Sequence, residues 1–202
     1  MPGLKHERMY LAPVVGVDEA GRGPLAGPVV AAAVILPERG TPRGIDDSKK
    51  LPAAERARLC ARITDCAVVG VGIVEADEID TLNIYWATMK AMTLAVDRVA
   101  AVLGCAPGHV LVDGNRLPRW GYAATPIVGG DAQSRSIAAA SIVAKHTRDT
   151  IMLAHHESYP HYGWDSNKGY GCPAHRRALA ERGPSPLHRR SFAPVAQTVL
   201  PF

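Results

Sequence analysis

Four carboxylates occupy positions from which a protein could handle a metal or a proton. Asp18 and Glu19 close the apolar run VVGV, Asp113 closes VLVDGN, and Asp131 sits in VGGDAQS just ahead of an alanine-rich segment. Paired acids at a strand end suit hard divalent cations, because Mg²⁺ and Mn²⁺ prefer carboxylate oxygen. On that stretch alone, a strand-end turn with both acids facing water is an equal reading. Four carboxylates share one site only if cations neutralise them. Two divalent ions about 4 Å apart would do so, and would clamp the attacking and leaving oxygens of a phosphodiester. Asp131 lies where a helix N-terminus favours negative charge.

The glycines after the first pair raise another possibility. Gly21, Gly23 and Ala26 fit G-x-G-x-x-A after a strand-like run. A dinucleotide loop needs a helix to open at once, with its N-terminal amides on the pyrophosphate. Here Pro28 and VVAAAVIL follow, which reads as a second strand. The two acids would also repel a pyrophosphate.

The acids are far apart in sequence, so only the fold can gather them. Val14–Val17, Val29–Leu36 and Ala67–Val74 read as three strands able to pair antiparallel. Helices are expected over Pro52–Ile63 and Asn83–Leu103, with Met89 and Met92 as core filler. His109–Val112 and Thr125–Val128 are two more strands, and a small-residue helix starts after Asp131. Tyr159–Gly171 reads as loop, Pro173–Arg182 as a short basic helix and Phe192–Phe202 as a proline-marked tail. Three strands, then helix, strand, strand and helix, suggest a mixed α/β sheet flanked by helices. If the first and fourth strands are neighbours, the acids meet at one end of it.

Composition narrows the class. A chain of 202 residues suffices for one domain with a small appendage. It has no apolar run of membrane-span length, and its N-terminus lacks a signal-peptide pattern. Cys60, Cys66, Cys105 and Cys172 lack C-x-x-C spacing and read as thiols in a reducing cytoplasm. The net charge is +4. Lys168 to Arg190 holds six Lys or Arg against one acid, Glu181. Such a segment can follow a phosphate backbone, or be a solvated helix face.

Other groups read more simply. His155, His156 and Glu157 lack H-E-x-x-H spacing and a third ligand, so they read as a solvated helix end. Lys145 and Arg148 could touch phosphate or be ordinary surface charge. Trp86, Trp120 and Trp164 read as core or loop packing.

Seven blocks in order, DEAGRGPLAGPVVAAAVIL, DDSKKL, LNIYWATMKAM, VLVDGN, GGDAQSRSIAAASIVAKHTRD, NKGYG and RRSFAPV, resemble ribonuclease HII of the bacterial type from about Val14 to Val195. The resemblance implies a ribonuclease H-like fold. Its mixed five-stranded sheet would be flanked by helices, with a catalytic unit over 1–172 and a C-terminal helical appendage and tail over 173–202. It implies a metal-dependent endoribonuclease using two divalent ions, Mg²⁺ or Mn²⁺. The substrates would be RNA–DNA hybrids and DNA duplexes containing single ribonucleotides.

Carried over by residue, Asp18, Glu19, Asp113 and Asp131 match the family's metal-binding acids. Gly21, Arg22 and Gly23 match its glycine-arginine-glycine motif, whose backbone contacts the ribose 2′-OH. Tyr170 matches the tyrosine that packs on the junction sugar. Ser48, Lys49 and Asn83 match positions that touch the nucleic-acid backbone. Asn167 and Cys172 depart from the family's usual histidine and threonine, which bears on substrate fit around the tyrosine. A cytoplasmic monomer without membrane contact is expected. The tail pattern Gln197, Leu200 and Phe202 resembles the peptide by which bacterial replication and repair proteins dock on a sliding clamp.

Two other classes predict different behaviour. A non-catalytic nucleic-acid-binding protein would not cut with Mg²⁺. A type 1 ribonuclease H would need a run of several ribonucleotides, and the glycine-arginine-glycine motif argues against it.

Overall fold

The apolar run that carries the first acids folds as β1 (Val14–Ala20), and the run after Pro28 as β2 (Val29–Ile35), in a computed structural model that describes residues 1–198. Their β-branched valines suit a pleated, buried surface. β2 lies antiparallel to β1, with Asp18 opposite Ala32 and Glu19 opposite Ala31. β3 (Val68–Val74) pairs antiparallel with the other edge of β2. β4 (His109–Asp113) runs parallel to β1, and β5 (Ala124–Ile127) runs parallel to β4. The sheet order is β3-β2-β1-β4-β5, so the first and fourth strands are neighbours as expected.

Three long helices cover the sheet: α1 (Ala53–Cys66), α2 (Ala76–Leu103) and α3 (Arg135–Ser158). Side chains alternate along a strand, so the faces bury different sets. Val15, Val17, Ala31, Ala33, Val110 and Val112 meet Ala91, Met92, Ala95 and Val99 of α2, where Met92 fills core as expected. Ala32 and Val34 meet Leu59 and Ile63 of α1 and Ala138, Ala139 and Ile142 of α3. The small residues of α3 allow a close approach. At Gly16 a Cβ would strike the backbone of Ser136 and Ile137, so β1 passes directly beneath the start of α3.

Three elements differ from expectation. α2 begins at Ala76 and breaks at Asn83, which sits at φ 65 and ψ 162. The break is re-capped from within: Asn83 Oδ1 accepts the N–H of Tyr85 at 3.0 Å and of Trp86 at 3.2 Å. The polar first turns, ADEID, hide the earlier start from a hydrophobic pattern. Tyr159–Gly171 contains a 3₁₀ turn (Pro160–Tyr162) and a short helix, α4 (Trp164–Asn167). After α5 (Pro173–Arg182), the tail opens with one helical turn, α6 (Ala193–Ala196).

The C-terminal segments are packed onto the body. Leu179 and Val195 meet Leu25 with Phe192 against them, while Tyr162 and Trp164 meet Ala26 and Met152. Among the described residues, no helix is long and apolar enough to cross a membrane.

Candidate active site

The ends of β1 and β4 bring the first acids together. Val17 pairs with Val112 in parallel register, so Asp18 and Asp113 follow side by side. Asp18 shares the face of Gly16, toward α3. Glu19 points the other way, into a cleft of about 250 Å³ lined by Tyr85, Thr88, Met92 and Asp113. Asp131 arrives from a 3₁₀ turn, Gly130–Ala132, entered through Gly129 in left-handed conformation. Gly130 donates its N–H to Asp113 Oδ1 at 2.7 Å, tying that turn to β4.

A further residue supports Asp131 from behind. Glu7 Oε1 accepts from Ser134 Oγ at 2.7 Å, and from the N–H and Oγ of Ser136 at 2.8 Å each. Gly3 bonds both ways with the same turn, its N–H to the Gln133 carbonyl at 3.2 Å and its carbonyl to the Arg135 N–H at 2.9 Å. Ser134 caps α3 by accepting the Ile137 N–H at 3.3 Å. The N-terminal segment thus holds the start of α3 through groups the helix cannot satisfy itself. Sequence reading missed Glu7, since an isolated acid in MPGLKHERMY follows no pattern.

The cluster repels itself. Asp18, 5% exposed, is held well above the usual carboxylate range by burial first, then by Glu19, Asp113 and Asp131. Burial raises Glu19 as well, with Arg22 opposing and Asp113 adding. Asp113 is raised by burial and by Asp131, against the Gly130 N–H. Two cations of the chain relieve part of this: Arg22 lies 3.5 Å from Glu19, and Lys49 lies 3.7 Å from Asp131. Burial lowers Lys49, but Asp131, Asp47, Asp18 and Asp113 outweigh it and leave Lys49 raised.

Among the described residues, no three His, Cys, Asp or Glu side chains already converge on one point as metal ligands. Glu19 turns to Arg22, Asp131 to Lys49 and Asp113 to the Gly130 amide. The donor set still fits hard cations: clustered, largely buried carboxylate oxygens with too little positive charge nearby. Binding would draw Glu19 and Asp131 from ion pairs that are partly solvent-screened and individually weak.

Beside the acids lies a cleft of about 300 Å³. It is lined by Asp18 and Glu19, by Gly21, Arg22 and Gly23, and by Ser48, Lys49, Lys145 and Tyr170. Gly21 sits at φ +100, and a Cβ there would reach the Arg148 side chain and lie 2.7 Å from the Pro28 carbonyl. Only glycine meets both demands cheaply. A Cβ on Gly23 would stand 3.7 Å from Tyr170 Cε1, so loop and ring face each other. Ser48 is buried, its N–H on Ser141 Oγ at 3.3 Å and its carbonyl on Arg56 at 3.0 Å. Asn83 is exposed at the α2 break and lines neither cleft.

The two departures around Tyr170 acquire definite roles. The Asn167 side chain donates to the Tyr162 carbonyl at 2.7 Å and accepts the Gly169 N–H at 2.8 Å, bracing the turn before the ring. Cys172 is the N-cap residue of α5, and its side chain makes no cap hydrogen bond. Behind the loop runs a buried chain of neutral histidines. Ser185 donates its N–H to His188 Nδ1 at 3.0 Å, so His188 carries its proton on Nε2. That proton goes to His175 Nε2 at 3.0 Å, and His175 Nδ1 donates to the Tyr170 carbonyl at 2.9 Å.

The basic residues divide between those at the cleft and those buried away from it. Lys145 lines the cleft, with Nζ 6.0 Å from the Tyr170 ring centre. Arg148 is neither a phosphate contact nor surface charge. It is fully buried and donates to the carbonyls of Pro28, Lys168 and Ala26. Within the basic C-terminal segment, Arg189, His175 and His188 are likewise buried, leaving Arg176, Arg177, Arg182 and Arg190 exposed. Trp164 is core, as expected, whereas Trp86 is 39% exposed with Arg119 5.0 Å over its ring. His155 and His156 gather no third ligand among the described residues.

A five-stranded mixed sheet with its parallel pair ending in clustered acids defines a ribonuclease H-like α/β protein. The family model described as Ribonuclease HII matches residues 15–195. A Ribonuclease HII of Rhizorhabdus wittichii is 60% identical over 196 residues, covering 97% of this chain and 95% of that one. The crystal structure of the ribonuclease H2 from Pyrococcus horikoshii matches with a TM-score of 0.70 at 26% identity, covering 92% of this chain and 96% of that one. The structure of the PCNA:RNase HII complex from Archaeoglobus fulgidus matches with a TM-score of 0.73 at 24% identity, covering 94% and 98%. This chain belongs to the ribonuclease HII family. It is a nuclease with ribonuclease H activity on RNA–DNA hybrids.

Proposed function

We propose that the enzyme also incises DNA duplexes on the 5′ side of single embedded ribonucleotides, leaving 3′-hydroxyl and 5′-phosphate ends. The observation that carries this reading is one shared cleft. Asp18 and Glu19 line it together with Gly21, Gly23 and Tyr170, so acids and sugar-reading groups face the same space. Two divalent ions, Mg²⁺ or Mn²⁺, would supply neutralisation of the cluster, water activation and charge stabilisation at the phosphate.

The chain's own residues do the rest. Asp18, Glu19, Asp113 and Asp131 would hold the ions. Main-chain groups of Gly21, Arg22 and Gly23 reach the 2′-OH, the group that separates RNA from DNA. A site built to bond that hydroxyl rejects a sugar lacking it, because its polar groups are then left unpaired. Tyr170 packs on the junction sugar, while Lys49, Ser48 and Asn83 serve the phosphate backbone. A DNA duplex with one ribonucleotide, incubated with and without Mg²⁺ beside an all-DNA duplex, tests the reading. Metal-dependent cutting of the first alone is expected; cutting of both, or of neither, counts against it.

The same reading extends to the tail. Gln197 follows α6 as its C-cap residue and is exposed, while Leu200 and Phe202 lie outside the described residues. A chain end with one amide and two apolar anchors suits a groove on a sliding clamp. The fold relative from Archaeoglobus fulgidus is described in complex with PCNA. Titrating the full chain and a deletion of residues 197–202 against the cognate clamp tests it. Loss of binding on deletion is expected, and equal binding by both ends the idea.

A further inference from the structure

Arg189 is fully buried, yet no carboxylate lies within ion-pair distance of it among the described residues. Its guanidinium faces main-chain carbonyls instead. Nε donates to Gly27 at 2.9 Å, one terminal nitrogen to Arg22 at 3.0 Å, and the other to Gly21 at 2.6 Å and Pro28 at 3.1 Å. The Phe192 ring lies 5.2 Å beneath the guanidinium carbon. The segment itself is anchored by Asp80, whose carboxylate accepts the N–H groups of Arg190 and Ser191 at 2.8 Å each. A buried charge without a counter-ion is a poor way to gain stability. The planar fork gives direction instead, holding several acceptors at fixed angles.

Direction matters here because a trans peptide is planar, with its C=O and N–H pointing opposite ways. With the Gly21 carbonyl turned in toward Arg189, the next N–H, that of Arg22, turns out. With the Arg22 carbonyl turned in, the Gly23 N–H turns out. Arg22 and Gly23 are exposed on the cleft that holds Tyr170 and Asp18, and neither amide donates to a partner among the described residues.

We propose that Arg189 is a positioning residue for sugar recognition: it holds the Gly21–Gly23 loop with the Arg22 and Gly23 amides aimed into the cleft, where they meet the ribose 2′-OH. This rests on the reading of the loop as the 2′-OH site. Arg189 touches no substrate and acts only through the loop.

The test is made in Asp113→Asn protein, in which Asn keeps the oxygen that accepts the Gly130 N–H. Affinity is measured for a duplex with one ribonucleotide and for the same duplex in DNA alone. The parent should prefer the ribonucleotide. Arg189→Lys keeps the charge but not the fork, and should cut that preference by about tenfold, the scale of one or two lost hydrogen bonds. Affinity for the all-DNA duplex should hold.

Equal weakening on both duplexes, or an unchanged preference, overturns the role of Arg189 and leaves the loop reading standing. A parent without preference overturns the loop reading, and this inference with it. Should Arg189→Lys not fold, the parent still decides by nuclear magnetic resonance. The Arg22 and Gly23 amide signals should move with the ribonucleotide duplex and stay with the DNA duplex. Signals that move equally with both refute the proposal.

Discussion

Gly130 gives its N–H to Asp113 Oδ1 at 2.7 Å, so the strand end that carries one acid grips the turn that presents another. The spacing of Asp113 and Asp131 is therefore set by a hydrogen bond from the Gly130 amide to the Asp113 carboxylate rather than by their own repulsion. Glu7 grips the same turn's exit from the other side through Ser134 and Ser136. The cluster is held together by its surroundings, and that has consequences for pH, stability and rate.

The first concerns Asp18. Burial and the neighbouring carboxylates raise its folded pKa above the unfolded value. Its contribution is therefore fully present at low pH and is lost as pH rises through the folded pKa. Without metal, melting temperature should fall across that rise, and Asp18→Asn should flatten the fall and melt a few degrees higher at neutral pH. Cutting should vanish in this variant. A variant that melts lower than the parent at pH 7 without metal would show that the charge is not under strain.

The histidine chain has the opposite sign. Burial first, then His175, lowers His188 to about 4 from an ordinary 6.5. The unfolded chain then binds more protons between those values, so stability falls as pH drops through that window. His188→Leu should reduce the slope in melting temperature against pH there relative to the parent. Identical slopes would mean His188 titrates normally and does not donate to His175.

Cys172 leaves the start of α5 uncapped by a side chain. Cys172→Thr supplies an oxygen for the free N–H groups and should stabilise by about 1 kcal/mol. Thermal unfolding of the two proteins decides it. No gain would mean that Pro173 already sets the helix start at no cost.

Tyr170 is 45% exposed across from Gly23. Tyr170→Ala should lower the cutting rate at saturation far more than duplex affinity, because phosphate contacts carry much of the binding. Affinity of both proteins should weaken alike with salt. Strong loss of affinity with normal cutting at saturation would place the ring outside the chemistry.

Much of this was legible in the sequence. Strand-end acids are visible because an apolar run stops abruptly at a charge, as at Val17–Asp18 and Val112–Asp113. The strand pairing of Val29–Ile35 followed from its nearness to β1. The small residues of α3 announced a close packing that Gly16 makes necessary. What stayed hidden acts through backbone groups of irregular segments, which leave no periodic trace. Arg148 and the segment holding Arg189 read as phosphate contacts or solvated charge, because their actual partners are carbonyls, which are the same in every residue. Asn83 read as the start of a helix because its side chain caps one, although another helix segment precedes it.

On the proposed reading, the four acids hold divalent ions that direct water onto the phosphate 5′ to a ribonucleotide. The most direct measurement maps both ends of the product from a DNA duplex with one ribonucleotide, cut in Mg²⁺. A 3′-hydroxyl on the upstream DNA and a 5′-phosphate on the ribonucleotide are expected. A 2′,3′-cyclic phosphate would mean that the 2′-OH itself attacked, and would contradict the account.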